Sequence, residues 1–76
     1  MDDHYKPERN TFAYVIYVDL VVGHKLRLAG FAKERRREMF GRIARDRKVP
    51  RRFVRRIWDR AIRPRLRDGV NIRDFT

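Results

Sequence analysis

Paired apolar positions separated by arginines make the clearest pattern in this chain. Phe53, Val54, Ile57, Trp58, Ala61 and Ile62 fall on one side of a 3.6-residue helix, and Arg51, Arg52, Arg55, Arg56, Arg60 and Arg63 fill the gaps. Pro50 suits the first helical position and Pro64 marks an end or kink, so a helix is predicted over residues 50–63. Upstream, Met39, Phe40, Ile43 and Ala44 recur at the same period while Arg35, Arg36, Arg42 and Arg45 lie elsewhere, predicting an amphipathic helix over residues 32–46. The segment before them is patterned differently. Thr11 to Val22 (TFAYVIYVDLVV) is dense in Tyr, Phe, Val and Ile, which fit a pleated, half-buried surface. Gly23-His24-Lys25 then supplies a turn signal, and Lys25-Leu26-Arg27-Leu28 alternates polar and apolar as a strand does. A β-hairpin over residues 11–29 is therefore predicted. Its rival is one continuous helix from Ala13 to Lys33, giving an all-α helical bundle, which Gly23 and Gly30 penalise by about 1 kcal/mol each relative to Ala.

Residues 1–10 (MDDHYKPERN) are polar, contain Pro7 and show no period, so they read as a flexible arm or extended lead-in. In residues 64–76, a turn at Asp68-Gly69 precedes Val70, Ile72 and Phe75, which are apolar enough to pack back on the domain. The expected fold class is thus α+β: one small domain over residues 11–76, with the hairpin packed on two arginine-rich helices. A chain of 76 residues buries only about 60% of its unfolded surface. The apolar run from Phe12 to Val22 exceeds what one short pair of helices can cover, which predicts a homodimer through that segment.

Charge changes this picture, because it is all on one side of the chain. From Ala32 to Thr76 there are 17 Lys and Arg against 6 Asp and Glu, and from Met1 to Phe31 there are 4 against 4, so the second part carries the whole net charge of +11. Such asymmetry is the footprint of a polyanion partner. The cations are mostly arginines, planar forks that hold phosphates or guanine edges bidentately. The chain has no cysteine, in keeping with a reducing cytoplasm. Met1-Asp2-Asp3-His4 lacks the basic start and apolar core of a secretion signal, and the longest apolar run, broken by Asp19, is about half of a membrane span. A soluble, cytoplasmic basic protein with no membrane partner is expected.

Residues 43–58 (IARDRKVPRRFVRRIW) resemble the helix-turn-helix unit of bacterial DNA-binding regulators. Ile43 and Ala44 occupy the places of the apolar and small residues on the first helix, Val49 that of the residue plugging the turn, and Val54 and Ile57 those of the anchors of the recognition helix. The resemblance implies that Pro50, Arg51, Arg52, Arg55 and Arg56 read bases and touch phosphates, and Arg47, Lys48, Arg60 and Arg63 extend that cationic surface. It covers about a quarter of the chain and departs from the family at two places: Arg47 replaces an apolar residue and Lys48 the glycine that allows a left-handed backbone. Arg51 and Arg52 also stand in a first helical turn, where the macrodipole disfavours cations by a few tenths of a kcal/mol, a conflict that a phosphate relieves. Elsewhere Glu38 is spaced to reach Arg42, and Asp59 to reach Arg55 and Arg63. Trp58 and Phe53 are read as core, and Tyr14 and Tyr17 as covering the helices; with Tyr5 they are the alternative platform for stacking unpaired bases.

Enzyme activity is not expected. The chain has no serine, cysteine or glutamine, and His4 and His24 occur singly, without metal-ligand spacing. A fainter likeness, LRLAGFAKERRREMF followed by VPRRFVRRIWDRAI, is to the helical chorismate mutases, which cluster arginines for a dicarboxylate; their long first helix would have to run through Gly23 and Gly30. The expected function is nucleic-acid binding, with duplex DNA favoured, by a small transcriptional or plasmid/phage-type regulator. The alternatives are RNA or ribosome binding, and a basic inhibitor or adaptor that docks an acidic protein. No cofactor, metal or small-molecule substrate is implied.

Overall fold

The computed structural model describes residues 4–75, and among them every regular element is helical. There is no β-hairpin. Residues 11–29 instead form the 17-residue helix α1 (Phe12–Leu28). Thr11 caps it, its Oγ1 accepting the Tyr14 N–H at 3.3 Å. Ile16, Tyr17, Leu20 and Val21 are buried at helical spacing, yet the opposite side of the helix is also apolar, with Val15, Val18, Val22 and Leu26 37–49% exposed. A run apolar on every side shows no 3.6-residue period, so its β-branched content reads as a strand while tertiary packing makes it a helix. Gly23 is no turn either. A Cβ there would lie 2.8 Å from Met39 Sδ, so glycine lets α1 approach the next helix closely.

After α1 the chain has no regular structure over residues 32–35, and the second helix, α2 (Arg36–Arg47), starts later than its sequence pattern implies. Glu34 anchors this connection: its carboxylate accepts Arg42 Nη2 at 2.7 Å and Nε at 3.0 Å, and its backbone carbonyl accepts Arg27 Nε at 3.0 Å. The Arg42 bond holds the Glu34 carboxyl below the usual range. Arg42 therefore pairs with Glu34 rather than with Glu38, which accepts the Arg35 backbone N–H at the start of α2.

Three helix ends close in the same way. The Phe31, Val49 and Val70 N–H groups donate to the Leu26, Ala44 and Arg65 carbonyls, while Gly30, Lys48 and Gly69 donate to Arg27, Arg45 and Leu66. Each closure puts one residue in the left-handed region: Gly30 at φ +82°, Gly69 at φ +86° and Lys48 at φ 57°. Lys48 thus adopts the glycine conformation at a cost of about 1–2 kcal/mol for a side chain.

Pro50 is the N-cap of α3 (Arg51–Ile57). This helix continues through a π-helical turn, Trp58–Ile62, into α4 (Arg63–Arg67). Pro64 therefore does not end the rod. A proline in a regular helix removes one hydrogen bond and clashes with a carbonyl one turn back. Here the Arg63 N–H donates to the Trp58 carbonyl five residues back, and the widened turn lets the rod run on. Arg65, on α4, is buried and donates to the carbonyls of Ala61, Tyr5 and His4. His4 also bonds Asp68 at 2.6 Å, so residues 4–5 lie against the C-terminal part, and Pro7 is buried; residues 1–3 of the proposed arm lie outside the described residues. The tail turns at Gly69 into a short 3₁₀ turn, Ile72–Asp74, and buries Ile72 and Phe75.

The core joins all these elements. Trp58 is only 3% exposed, with the rings of His24 from α1 and Phe40 from α2 centred 5.1 and 5.5 Å away. Replacing Trp58 by Ala is expected to cost about 3–5 kcal/mol, a large share of the stability of a domain this size. The indole Nε1 has no hydrogen-bond partner among the described residues. Trp58→Phe should therefore cost no more than about 2 kcal/mol, a contrast that urea denaturation of the two variants measures. Lys48→Gly should instead stabilise the fold by about 1 kcal/mol, seen as a higher urea midpoint at unchanged slope.

Candidate nucleic-acid interface

Trp58 also floors an open cleft of about 1230 Å³ that four helices wall. Arg27 and His24 come from α1, Arg35, Arg36 and Arg37 from the start of α2, Arg51, Arg52 and Arg55 from α3, and Arg63 from α4. Eight arginines meet two carboxylates, Glu38 and Asp59. The fold explains the convergence: α2 and α3 both begin with arginine pairs, and both pack on α1. The first turn of α3 has no acidic residue, and α2 offers only Glu38. Both positive helix ends therefore add to the side-chain charge instead of opposing it.

The arginines are held by weak or neutral contacts, which leaves their charge available. Arg51 Nη2 donates to the Arg37 carbonyl at 3.1 Å, an uncharged acceptor. The Arg36 guanidinium lies over the Trp58 ring, 5.7 Å from its centre. Arg55 and Arg63 share Asp59, each at 3.7 Å, the two pairings expected from their spacing. Such exposed i,i+4 pairs contribute little. His24 is the titratable group on the cleft floor. Arg27 Nη1 lies 3.2 Å from His24 Nδ1, and since arginine can only donate, Nδ1 accepts and the neutral ring carries its proton on Nε2. Burial, then Arg27 and Arg36, lower the His24 pKa from its ordinary value.

The residues singled out from sequence divide into two groups. Arg51, Arg52, Arg55 and Arg63 line the cleft, whereas Arg47, Lys48, Arg56 and Arg60 are exposed outside it. Arg47 is committed elsewhere, Nε and Nη2 donating to the Asp19 carboxylate at 2.7 and 3.1 Å. The Arg60 guanidinium covers the Tyr5 ring at 4.9 Å. The sequence reading missed Arg27, His24 and the Arg35–Arg37 run. That run was visible as charge density, but its direction depends on α1, which was read as strands. Ile43, Ala44, Val54 and Ile57 are buried and Val49 is partly so, with Lys48 in the left-handed region between the helices.

No family model matches the chain, and neither a curated protein nor a solved structure shows significant similarity to it. The long first helix of the chorismate mutases is absent: α1 runs through Gly23 but ends at Leu28, before Gly30. Among the described residues, no helix is long and apolar enough to cross a membrane, and no cluster of three acidic or histidine side chains is placed to hold a metal ion.

His24 reports directly on the cleft. Because its folded pKa is lowered, the unfolded chain binds the extra proton, so the His24 contribution to stability is present above the unfolded value and is lost as pH falls through the folded one. An NMR titration of the His24 ring should give a midpoint below the usual imidazole value. Pyrophosphate should raise that midpoint by offsetting Arg27 and Arg36; an unmoved midpoint would show that no anion enters.

Proposed function

We propose that this protein binds nucleic acid, with duplex DNA its principal ligand, and acts as a small regulator of transcription or of a plasmid or phage. The observation that carries this reading is the convergence of arginines from four helices on one cleft with only two carboxylates among them. Guanidinium forks neutralise phosphates and release their counterions, the main source of affinity for a polyanion. The start of α3, with Arg51, Arg52 and Arg55 exposed on the cleft wall, supplies the groove-facing residues.

The tyrosine-stacking version of RNA binding has less support. Tyr17 is core, the Tyr14 ring packs on it at 5.9 Å, and Tyr5 lies beneath Arg60. An acidic protein would satisfy the charge but has no contact in the fold that favours it over phosphate.

Binding of labelled duplex DNA, duplex RNA and single strands, each over a range of salt, tests the proposal. With about four to six phosphates neutralised, the logarithm of affinity for duplex DNA should fall with the logarithm of salt at a slope of about −4 to −5. Arg51 and Arg55 are exposed and outside the core, so Arg51→Ala with Arg55→Ala should preserve the fold. Where each touches only phosphate, the pair should flatten the slope by about two units; a guanine-reading arginine should instead cost about 1–3 kcal/mol at its preferred site. Unchanged affinity in the double variant at every salt concentration would exclude this face.

A further inference from the structure

Among the described residues, the outer face of α1 is only half covered. Val15, Val18, Val22 and Leu26 follow one another along it at steps of three and four residues, each 37–49% exposed, and Phe12 extends the patch at 47%. The other side of the same helix is core. An α-helix at a protein surface is ordinarily apolar on its core side alone, whereas α1 carries a second apolar stripe, and among the described residues no helix is long and apolar enough to cross a membrane.

Charge restricts what can cover it. Around the stripe stand Lys25, Asp46 and the paired Arg47–Asp19 and Arg42–Glu34, so the face is close to neutral on a protein of net charge +11. A partner chosen for its acidity would go to the arginine surface. A second copy meets less repulsion where the two near-neutral faces join than at the arginine surface. We infer that two copies of this chain pair through the outer faces of α1 about a two-fold axis, with Val18 and Val22 at the centre.

Helical geometry keeps this face separate from the cleft. His24, on the cleft, lies on the opposite side of the helix from Val22 and Leu26, and Arg27, also on the cleft, is turned about 100° away from Leu26, so pairing leaves both clefts open. The area sets the strength. Roughly half of each of five side chains remains to be covered, on the order of 50 Å² apiece, so a pair buries about 500 Å² of apolar surface, against the total of about 1,200–2,000 Å² buried in a stable interface. The dimer is therefore reversible and opposed by the repulsion of two polycations, which salt screens.

Sedimentation equilibrium of the nuclease-treated full chain, up to about 500 micromolar, at about 0.1 M and about 0.5 M NaCl, tests this without any nucleic acid present. The expected result is a monomer–dimer equilibrium that tightens severalfold with salt. Val22→Glu, and independently Leu26→Lys, should abolish it while leaving the circular dichroism native. A monomer at both salt concentrations, a dimer that weakens with salt, or dimerisation surviving in both natively folded variants would each overturn the inference. Loss of nucleic-acid binding in the arginine variants would leave it standing, because the two faces are distinct.

Discussion

The packing of Trp58 against α1 and α2 is the contact on which the rest depends. Its ring meets His24 and Phe40 within the core, while Arg36 lies over it from the cleft. One side chain is therefore both a centre of apolar burial and the floor of the cationic surface. Ring contacts of this kind add about 0.5–1.5 kcal/mol each beyond area burial, and a cation over an indole adds a similar amount. Losing the ring would separate the three helices and scatter the arginines that they bring together.

Around that centre the molecule treats its positive charges unequally. Arg42 and Arg47 make close bonds to Glu34 and Asp19, and these two pairs tie α2 to α1 and to the connection between them. Arg65 is buried among backbone carbonyls and joins the N-terminal lead-in to α4. The cations of the cleft, by contrast, meet a neutral carbonyl, a ring face or one shared carboxylate. The structural arginines and the available ones thus differ in their partners, not in residue type. Charge alone could not tell them apart.

Backbone devices decide where the available arginines point. The π-helical turn at Trp58–Ile62 lets the third rod pass Pro64 and carries Arg63 to the cleft. The left-handed residue at Lys48 sets the turn between α2 and α3. Gly23 brings α2 close to α1, and with it the arginines at the start of α2.

The apolar stripes of the second and third helices, the core position of Trp58, the turn at Gly69 and the paired reach of Asp59 were all legible in the chain, because each is a local matter of period, cap or spacing. The candidate site was legible in part: Arg51, Arg52, Arg55 and Arg63 share the helix whose pattern was clearest. α1 was legible only as the rival reading, a continuous helix from Ala13 to Lys33, since its apolar residues surround the axis and leave no period, and Gly23 has the same letter as a turn glycine. Only the packed structure reveals that Gly23 accommodates Met39, that Arg42 selects Glu34 over Glu38, and that the Arg35–Arg37 run faces α3. The sequence by itself determined how much positive charge there is and which helix faces are apolar. Tertiary structure decided which cations are paired and which converge, because that depends on distances between residues far apart in the chain, which no local pattern encodes.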